Sequence, residues 1–367
     1  MMWLRKSLVR IGKDRRVINL EFDKSIIKNF QYSDTPDFGS VQVPIVLKSL
    51  HSEGKPKGNI TIGPNGDYKI SSFNSTLHYG QSIFEGLKAY KMENGKFKIF
   101  RLKDAARRFR RSAQIMGMSA LDEDFFIDCV KSYVESCSEL ELTSKEHSLY
   151  LRPLLYANDS IIKVRASSEY QFVIMGSIVG SYFSGGKVGA KVYCNRQFVR
   201  AFPHGTGEAK TAANYAISLP ALKHATSLGF EQVLYLDALK KENVEELGGM
   251  NFFMIKNGTL VTPKLSGTIL HGITRDTILE LAKHLDIPTE VRDINYKEII
   301  EPSENQSIFA CGTAATIVPI IELGFQESLE GQLKRIEYPV DPLAIKLREH
   351  LVDCHYNKSP LSDKWLS

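Results

Sequence analysis

The residue with the clearest chemical potential is Lys210, in the segment HGTGEAKTAANY at residues 204–215. Its neighbours Gly207, Ala209 and Ala212 are small, so a bulky ligand can approach the lysine. A buried lysine is costly unless it loses its proton or becomes an imine, and either outcome makes it a nucleophile toward carbonyl groups. A surface lysine in a flexible loop explains the same residues equally well.

The main rival function for this segment is a phosphate-binding P-loop. That motif requires a glycine directly before the lysine. In this chain Ala209 holds that place. A nucleotide-binding P-loop is therefore disfavoured, and it would predict a colourless protein with affinity for ATP.

Two further side chains could complete a site for a pyridoxal ring. Glu246 lies in VEELGGMNFF, residues 244–253, and a carboxylate beside a pyridine nitrogen keeps that nitrogen protonated. Tyr215 follows Lys210 near the start of a predicted helix, where its phenol could bond the ring hydroxyl. A turn carboxylate and a core tyrosine are the plainer explanations of these two residues.

Two loops have features of anion-binding sites. The segment GTILHGITRD, residues 267–276, places Ile273 and Thr274 at a predicted helix start, where free N–H groups favour anions. The segment CGTAAT, residues 311–316, offers backbone N–H groups and the Thr313 hydroxyl. Each loop is weak evidence alone, because small residues often serve only to turn the chain.

The elements that must position these residues mix strands and helices in both halves of the chain. Apolar residues at helical spacing predict helices over residues 103–116, 122–137, 214–230 and 274–284. Asn-Gly dipeptides, which tolerate positive φ, predict hairpin turns at residues 65–66, 94–95 and 257–258. Strands and helices do not alternate regularly, so we predict an α+β fold rather than a doubly wound sheet.

A glycine-rich stretch at residues 180–189 is the best candidate for a linker between domains. The strand and helix pattern begins again after it. We therefore predict an N-terminal domain over residues 1–179 and a C-terminal, ligand-binding domain over residues 190–367.

Composition and charge exclude several classes of protein. Hydrophobic residues make up 43% of the chain and charged residues 24%, both ordinary for a soluble globular protein. The net charge of +5 arises from 47 basic and 42 acidic residues, a balance too mixed to indicate nucleic-acid binding. The longest apolar runs, such as residues 316–321, fall well short of the roughly 20 residues that span a bilayer.

The five cysteines are scattered and odd in number, so they do not describe a disulfide framework. No CxxC pair or Cys/His cluster suggests a metal site. These features predict a cytoplasmic protein without a bound metal. The basic N-terminus, residues 1–16, lacks the apolar core of a secretory signal and leaves a mitochondrial presequence as an alternative.

Taken together and in this order, the motifs resemble those of the fold-type IV pyridoxal-phosphate enzymes, and more narrowly those of the branched-chain aminotransferases. The resemblance runs from about Tyr68 to Val318. The segments that carry it are LHYGQSIFEGLKAY (77–90), FRLKDAARRFRRSA (100–113), LYLRP (149–153), GSYFSGG (180–186), EAKTAANY (208–215), EELGGMNFF (245–253), GTILHGITR (267–275) and GTAA (312–315).

The resemblance implies a site for pyridoxal 5'-phosphate. Lys210 would form the Schiff base with this cofactor and move the substrate proton. Glu246 would face the ring nitrogen and Tyr215 the ring oxygen. The backbone of Thr313 and Ala314 would face the α-carboxylate of the substrate. The residues implied for the phosphate group are Arg101, Ile273, Thr274 and Thr313.

The resemblance also implies one pocket that accepts both a branched apolar side chain and glutamate. Tyr150 and Arg152 would bind the distal carboxylate of glutamate, which suits a guanidinium fork, although a structural ion pair is the alternative for Arg152. Gly249 stands where some family members carry threonine, a change that would alter the pocket volume. The residues implied for the apolar wall are Phe38, Tyr79, Phe84 and Tyr182.

The implied reaction is a reversible ping-pong transfer of an amino group between leucine, isoleucine or valine and 2-oxoglutarate. The implied protein is a homodimer without a nucleic-acid or membrane partner, in which each chain has a smaller N-terminal α/β domain and a larger C-terminal pseudo-barrel domain. A D-amino acid aminotransferase and an aminodeoxychorismate lyase are the alternatives within the fold type. The motifs LYLRP and GSYFSGG argue against both.

Overall fold

The structure, a computed structural model, describes residues 7–11, 16–52, 54, 58–180 and 188–367. The chain forms two compact units. The first comprises residues 1–181, 209–212 and 355–367, and the second comprises residues 182–208 and 213–354. Most of the predicted linker, including Tyr182, lies outside the described residues. The predicted domain boundaries therefore stay a prediction.

The elements are numbered along the chain. The described helices are α1 (Ser25–Lys28), α2 (Ser75–Tyr79), α3 (Leu102–Ile115), α4 (Glu123–Ser136), α5 (Ala212–Ala216), α6 (Leu219–Ser227), α7 (Ile273–His284), α8 (Lys297–Ile300), α9 (Pro342–His355) and α10 (Ser362–Trp365). The described strands are β1 (Ser7–Ile11), β2 (Arg16–Leu20), β3 (Val41–Ser52), β4 (Ile60–Pro64), β5 (Ser82–Phe84), β6 (Leu87–Lys91), β7 (Phe97–Ile99), β8 (Ser148–Ala157), β9 (Glu169–Val179), β10 (Ala190–Asn195), β11 (Gln232–Leu236), β12 (Val244–Leu247), β13 (Asn251–Lys256), β14 (Thr259–Thr262), β15 (Thr289–Val291), β16 (Gln306–Gly312), β17 (Thr316–Gln326) and β18 (Lys334–Glu337).

The first unit is built on a mostly antiparallel sheet. Its described strands follow the order β1-β2-β4-β3-β9-β8-β6-β7, with β5 beside β8 and with β2 parallel to β4. Strands β8 and β9 bury almost every side chain. Burial specifies strand register strongly, because a slip of one residue would turn every side chain to the other face. The positions of Tyr150 and Arg152 on β8 are therefore well defined.

Helices α3 and α4 bury their apolar sides against this sheet. The rings of Phe109 on α3, Phe126 on α4 and Phe172 on β9 meet with centroid separations of 4.9, 5.8 and 6.0 Å. The buried residues of α3 recur at helical spacing from Leu102 to Ala113, as the sequence pattern predicts. The helices predicted over 103–116 and 122–137 are confirmed.

The second unit contains a closed barrel. Strands β12, β11, β10, β17, β16 and β13 pair in that order, and β13 pairs again with β12 through Asn251 and Glu246. Strand β10 is parallel to both of its neighbours, whereas the other barrel pairs are antiparallel. Buried side chains such as Leu234, Phe252 and Ile308 belong to its main apolar core. The α+β class and the pseudo-barrel are thereby confirmed.

The end of the chain returns to the first unit, because residues 355–367 belong to it. They pair there with residues near β7, since Ile99 and Ser367 exchange backbone hydrogen bonds of 2.8 and 3.0 Å.

Two local predictions are wrong for identifiable reasons. The single helix predicted over residues 214–230 is divided into α5 and α6, because Pro220 lies in the first turn of α6 and has no N–H for a continuous helix. The Asn65-Gly66 pair does not form a hairpin turn, because β4 before it is already flanked by β2 and β3 and offers no free edge. The hairpin turns at 94–95 and 257–258 are confirmed, with Gly95 and Gly258 at positive φ.

A buried histidine in the first unit predicts how stability depends on pH. The ring of His355 stacks on Tyr90 at 4.4 Å and meets the edge of Phe100 at 4.5 Å. Burial lowers its pKa from 6.5 to about 3, and the positive charge of Lys88 adds to this effect. Between these values the unfolded chain binds a proton that the folded chain does not. The free energy of unfolding therefore falls as the pH drops from 6.5 to about 3.

We predict that His355→Phe removes this contribution and flattens the pH dependence of stability over that window. Urea unfolding at a series of pH values measures it. The matched control is His350→Phe, which replaces a partly exposed ring on the same helix and should keep the wild-type slope. Identical slopes for wild type and His355→Phe would contradict the prediction.

Candidate active site

Lys210 is held by its backbone on both sides. Its N–H donates to Ser112 Oγ at 2.9 Å, and its carbonyl accepts from the Phe84 N–H at 3.0 Å. The next residue, Thr211, bridges to Ile83 and donates its hydroxyl to Ser82 O at 2.7 Å. Lys210 and Thr211 are thus joined to β5 by these hydrogen bonds and by one isolated antiparallel bridge. This pairing disfavours the flexible surface loop as an explanation of Lys210.

A buried ion pair fixes the helix against which Lys210 rests. Arg108 on α3 donates to both carboxylate oxygens of Glu85, at 2.6 and 2.7 Å, and Glu85 is fully buried. Glu85 directly follows Phe84, and α3 also carries Ser112. Arg108 belongs to a basic stretch of α3, residues 107–111, yet it is a structural partner in the interior. The ion pair therefore sets the distance between Phe84 and α3.

Four residues predicted for the substrate pocket contact one another in the first unit. Arg152 Nη2 donates to Tyr150 Oη at 2.9 Å, and its guanidinium carbon lies 4.6 Å from the centre of the Phe84 ring. The Phe38 ring meets the Tyr150 ring at 4.9 Å. Lys210 Nζ lies 4.9 Å from the same Phe84 ring. The amine and the guanidinium thus share one aromatic neighbour.

The two alternatives for Arg152 can be compared with its contacts. A structural ion pair requires a carboxylate partner, and none of the described residues supplies one to Arg152. Its partners are a phenol oxygen and two aromatic rings. Arginine has five N–H donors, so the contact with Tyr150 leaves donors for an arriving carboxylate. These contacts favour substrate binding.

Tyr79 and Tyr182 are not joined to this group by any described contact. Tyr79 lies at the end of α2 with 41% of its surface exposed, and its ring faces His78 at 6.1 Å. Tyr182 lies outside the described residues. The roles of both stay predictions.

Arg101 adopts a backbone conformation that few arginines adopt. Its φ is +53°, in the left-handed region, at the N-cap of α3. Such strain costs on the order of 1 kcal/mol and persists only where neighbours enforce it. Here the Arg101 N–H donates to Trp365 O at 2.7 Å, Nε donates to Asp104 at 2.5 Å, and the guanidinium lies 5.6 Å from the Trp365 ring centre. The indole Nε1 of Trp365 is enclosed, and no described residue accepts from it.

Glu246 is a buried carboxylate on barrel strand β12. Its Oε1 accepts from the Leu270 N–H at 2.9 Å and lies 2.9 Å from Arg200 Nη2. Its Oε2 accepts from Asn251 Nδ2 at 2.9 Å. Both oxygens are therefore oriented by donors from three different segments. This geometry is inconsistent with a plain turn carboxylate.

Asn251 and Gly272 form a close contact that sequence analysis missed. A Cβ at Gly272 would lie 1.7 Å from Asn251 Oδ1, so only glycine leaves room for the amide. The same amide donates to Leu270 O at 3.1 Å besides Glu246. Both residues lie in motifs that the sequence analysis names: Asn251 in residues 244–253 and Gly272 in residues 267–276. Their presence in these motifs is the sequence signal that could have indicated the contact.

Ile273 and Thr274 form the first turn of α7, as predicted. Gly272 is the N-cap of this helix, and no side chain caps it. The first N–H groups of an uncapped helix lack partners within the helix and attract anions. This terminus is consistent with the predicted phosphate contact.

Tyr215, Gly249 and the turn after β16 lie together in the second unit. A Cβ at Gly249 would lie 3.6 Å from the Tyr215 ring. A Cβ at Gly312 would lie 3.7 Å from Gly249 O, so the turn that carries Thr313 and Ala314 begins beside Gly249. The second unit thus groups the residues predicted for the ring oxygen and for the α-carboxylate.

The family of this protein is shown by a family model that matches most of the chain. The chain matches the family model of amino-transferase class IV over residues 82–323, a span that contains every element that carries Lys210, Glu246 and Ile273. The chain belongs to the class IV aminotransferases. This class IV aminotransferase is therefore an enzyme.

Named relatives of this aminotransferase narrow the family further. It is 36% identical over 341 residues to branched-chain-amino-acid transaminase 1 of Bacillus subtilis (strain 168), over 90% of this chain and 95% of that one. It is 37% identical over 322 residues to a probable branched-chain-amino-acid aminotransferase of Streptomyces coelicolor, over 87% and 88% of the two chains. These relatives confirm the predicted branched-chain aminotransferase family.

Solved structures agree with the fold. The branched-chain aminotransferase of Thermoproteus uzoniensis with norvaline aligns with a TM-score of 0.69 at 25% identity, over 88% of this chain and 99% of that one. The T.th. branched-chain amino acid aminotransferase with pyridoxamine 5'-phosphate aligns with a TM-score of 0.70 at 25% identity, over 88% and 97% of the two chains. The predicted fold-type IV architecture is confirmed.

The close contact at Gly272 leads to a prediction. We expect Gly272→Ala to push the Asn251 amide away from Glu246. Affinity for pyridoxal 5'-phosphate, the predicted cofactor, should then fall roughly tenfold, because a hydrogen bond to a buried charged group is lost. Fluorescence titration of the apoenzyme measures this affinity.

The control for this variant is Gly248→Ala in the neighbouring turn. A Cβ there has its nearest contact at 3.7 Å, which is ordinary van der Waals distance. This variant should keep the wild-type affinity. Equal affinities of Gly272→Ala and Gly248→Ala would show that the close contact has no role.

Proposed function

We propose that this enzyme catalyses the reversible transfer of an amino group between leucine, isoleucine or valine and 2-oxoglutarate, with pyridoxal 5'-phosphate as cofactor. The observation that carries the proposal is the arrangement of Arg152, Tyr150 and Phe84 within reach of Lys210. The Phe84 ring contacts both the Arg152 guanidinium and the Lys210 amine. An apolar surface and a carboxylate-binding cation thus lie beside the same nucleophile.

The donor set fits the proposed cofactor. A lysine with a fixed backbone, a buried carboxylate and a phenol match an aldehyde, a ring nitrogen and a ring hydroxyl. In the second unit the uncapped start of α7 has the donors that a phosphate group needs. In the first unit Arg101 and the enclosed indole N–H of Trp365 are donors of the same kind. The residues that would hold the cofactor are Arg101, Lys210, Tyr215, Glu246, Ile273, Thr274 and Thr313. When bound, the cofactor supplies an electron sink for the substrate's α-carbon.

Lys210 performs the covalent and proton-transfer steps that fall to the protein. Its amine would hold the cofactor and, once the substrate amine has displaced it, would take the proton from the substrate α-carbon. The hydrogen bond from its N–H to Ser112 and the aromatic ring of Phe84 restrict where this amine can reach. The same amine would return the proton to the carbon through which the cofactor is bonded to the substrate nitrogen. One side chain would thus serve both directions of transfer.

Substrate specificity rests on two kinds of surface. Phe38 and Phe84 would accept a branched apolar side chain, and we assign the same role to Tyr79 and Tyr182. Arg152, oriented by Tyr150, binds the distal carboxylate of glutamate or 2-oxoglutarate. Arginine suits this task because its planar fork matches a carboxylate. In the second unit Gly249 leaves space beside the Tyr215 ring, and we assign the α-carboxylate to the backbone of Thr313 and Ala314.

We further propose that the enzyme is a cytoplasmic homodimer. The first unit exposes a group of apolar side chains near the Asn74–Ser160 bridge, and these are Phe73, Leu77, Ile161, Ile162 and Val164. Contiguous exposed apolar residues are typical of protein interfaces. All five cysteines are free and buried, which supports a reducing compartment.

Other partners are not expected beyond small-molecule substrates. Among the described residues no helix is long and apolar enough to span a membrane, and no cluster of side chains could hold a metal ion. The mixed surface charge is poorly suited to nucleic acid.

The proposed activity and cofactor are tested together on the purified enzyme. Borohydride treatment of the yellow holoenzyme should attach a pyridoxyl group to Lys210, as peptide mass spectrometry would show. Leucine should react with 2-oxoglutarate faster than D-alanine does. A faster reaction of D-alanine would support a D-amino acid aminotransferase, and a colourless, unmodified protein would refute the cofactor.

The role of Arg152 gives a separate prediction. Arg152→Gln should raise the KM for 2-oxoglutarate by about 10- to 100-fold, because the distal carboxylate loses its charged partner, while the KM for leucine changes little. Steady-state kinetics with each substrate varied in turn measures the split.

Arg165→Gln is the matched control, since Arg165 forms a surface ion pair with Asp159 on the same unit. It should leave both constants unchanged. A parallel rise for leucine and 2-oxoglutarate in Arg152→Gln would instead indicate a general structural role.

A further inference from the structure

Arg200 is a buried arginine that lies outside all the predicted site residues. It follows β10 in the second unit, and its Nη2 lies 2.9 Å from Glu246 Oε1. The same Nη2 donates to the backbone oxygen of Thr268. Its Nε is enclosed, and no described residue accepts from it. Burying a guanidinium is costly unless a partner of opposite charge compensates, and Glu246 is such a partner.

A second buried carboxylate on β12 also faces the charge of Arg200. Glu245 is buried next to Glu246 in the chain, and the Thr268 hydroxyl donates to it. Burial raises the pKa of Glu245, and the positive charge of Arg200 acts against that effect. The guanidinium therefore favours the charged form of a buried carboxylate on this strand.

The other titratable groups around Glu246 do not replace Arg200. Arg275 on α7 interacts with Glu246 electrostatically, but its guanidinium donates to Pro263 O at 2.9 Å and to Thr262 Oγ1 at 3.3 Å. Cys311 on β16 faces the same carboxylate, and burial raises the pKa of its thiol, so it is uncharged. The Arg200 guanidinium lies within ion-pair distance of Glu246, at 2.9 Å.

We propose that Arg200 is a positioning residue for the cofactor ring: it stabilises Glu246 as a charged carboxylate, in an orientation set by Leu270 and Asn251, so that the ring nitrogen stays protonated. This role rests on the proposed function, in which Glu246 faces the ring nitrogen. Arg200 acts through Glu246 and touches neither substrate nor cofactor.

Arginine suits this role for two physical reasons. Its guanidinium keeps its proton throughout the pH range in which proteins are folded, so its partner always faces a cation. Its Nη2 also contacts both Glu246 and the Thr268 backbone, which fixes the direction from which the charge acts. A neutral side chain of similar size would leave Glu246 without this charged partner and Glu245 without a nearby positive charge.

The experiment compares the wild type with Arg200→Met, Arg200→Lys, Glu246→Gln and the double variant Arg200→Met/Glu246→Gln. Each is reconstituted with pyridoxal 5'-phosphate that carries ¹⁵N in the ring. The ¹⁵N chemical shift of the holoenzyme reports ring-nitrogen protonation directly and independently of turnover. The dissociation constant of the cofactor is measured on the apoenzymes.

The expected result is a protonated ring nitrogen in the wild type and a shift toward the unprotonated signal in Arg200→Met. Arg200→Lys should recover most of the wild-type signal, because it restores the charge. The cofactor should bind on the order of tenfold more weakly to Arg200→Met, since a charged hydrogen bond is lost behind Glu246. In the double variant, Arg200→Met should cause no shift beyond that of Glu246→Gln, because the two residues act through one carboxylate.

A wild-type ¹⁵N signal in folded Arg200→Met would overturn the inference while leaving the proposed cofactor intact. An additional shift in the double variant would also overturn it, because Arg200 would then act independently of Glu246. If Arg200→Met does not fold, Arg200→Gln replaces it, because the amide removes the charge but keeps a hydrogen-bond donor; a wild-type ¹⁵N signal in Arg200→Gln would overturn the inference in the same way. A wild type that binds no cofactor would refute the proposed function itself.

Discussion

The buried ion pair between Arg108 and Glu85 is the interaction on which the candidate site residues of the first unit depend. It ties α3 to the segment that follows β5, and both ends of that connection carry site residues. Phe84 precedes Glu85, Ser112 lies one turn beyond Arg108, and Arg101 stands at the start of the same helix. Removing one member of such a pair leaves an uncompensated charge, which typically costs about 3–5 kcal/mol. The helix would then lose the register that brings Ser112 to the Lys210 backbone.

A second constraint of the same kind governs the second unit. Glu246 is buried on a strand of the closed barrel, where water does not solvate its charge, so donors must come from the protein. They come from the loop after β10, from β13 and from the segment before α7, which are brought together by barrel closure. Gly272 is necessary because the Asn251 amide occupies the space of its missing side chain. The barrel thus determines both the position and the hydrogen bonding of this carboxylate.

Local sequence patterns predicted much of this architecture. The helices α3, α4 and α7 were predicted within a residue or so, because their apolar periodicity coincides with a tertiary surface that buries it. Where neighbouring structure decided, prediction failed. The helix over 214–230 is interrupted at Pro220, and the Asn65-Gly66 turn has no free strand edge for a hairpin. Arg108 is a similar case, since a basic stretch looks like a solvated surface until its buried partner is known.

The sequence by itself determined the family, the α+β class and the residues with chemical potential, above all Lys210, Glu246 and Arg152. These depend on residue type and on order along the chain, which the motifs record. Only the tertiary structure decided which groups act together: that Ser112 holds Lys210, that Tyr150 orients Arg152, and that Arg200 and Asn251 hold Glu246. Apart from the Tyr150–Arg152 pair on β8, those contacts join residues far apart in sequence or on adjacent strands, and their strength depends on burial. Neither distance nor burial can be read from the order of residues alone.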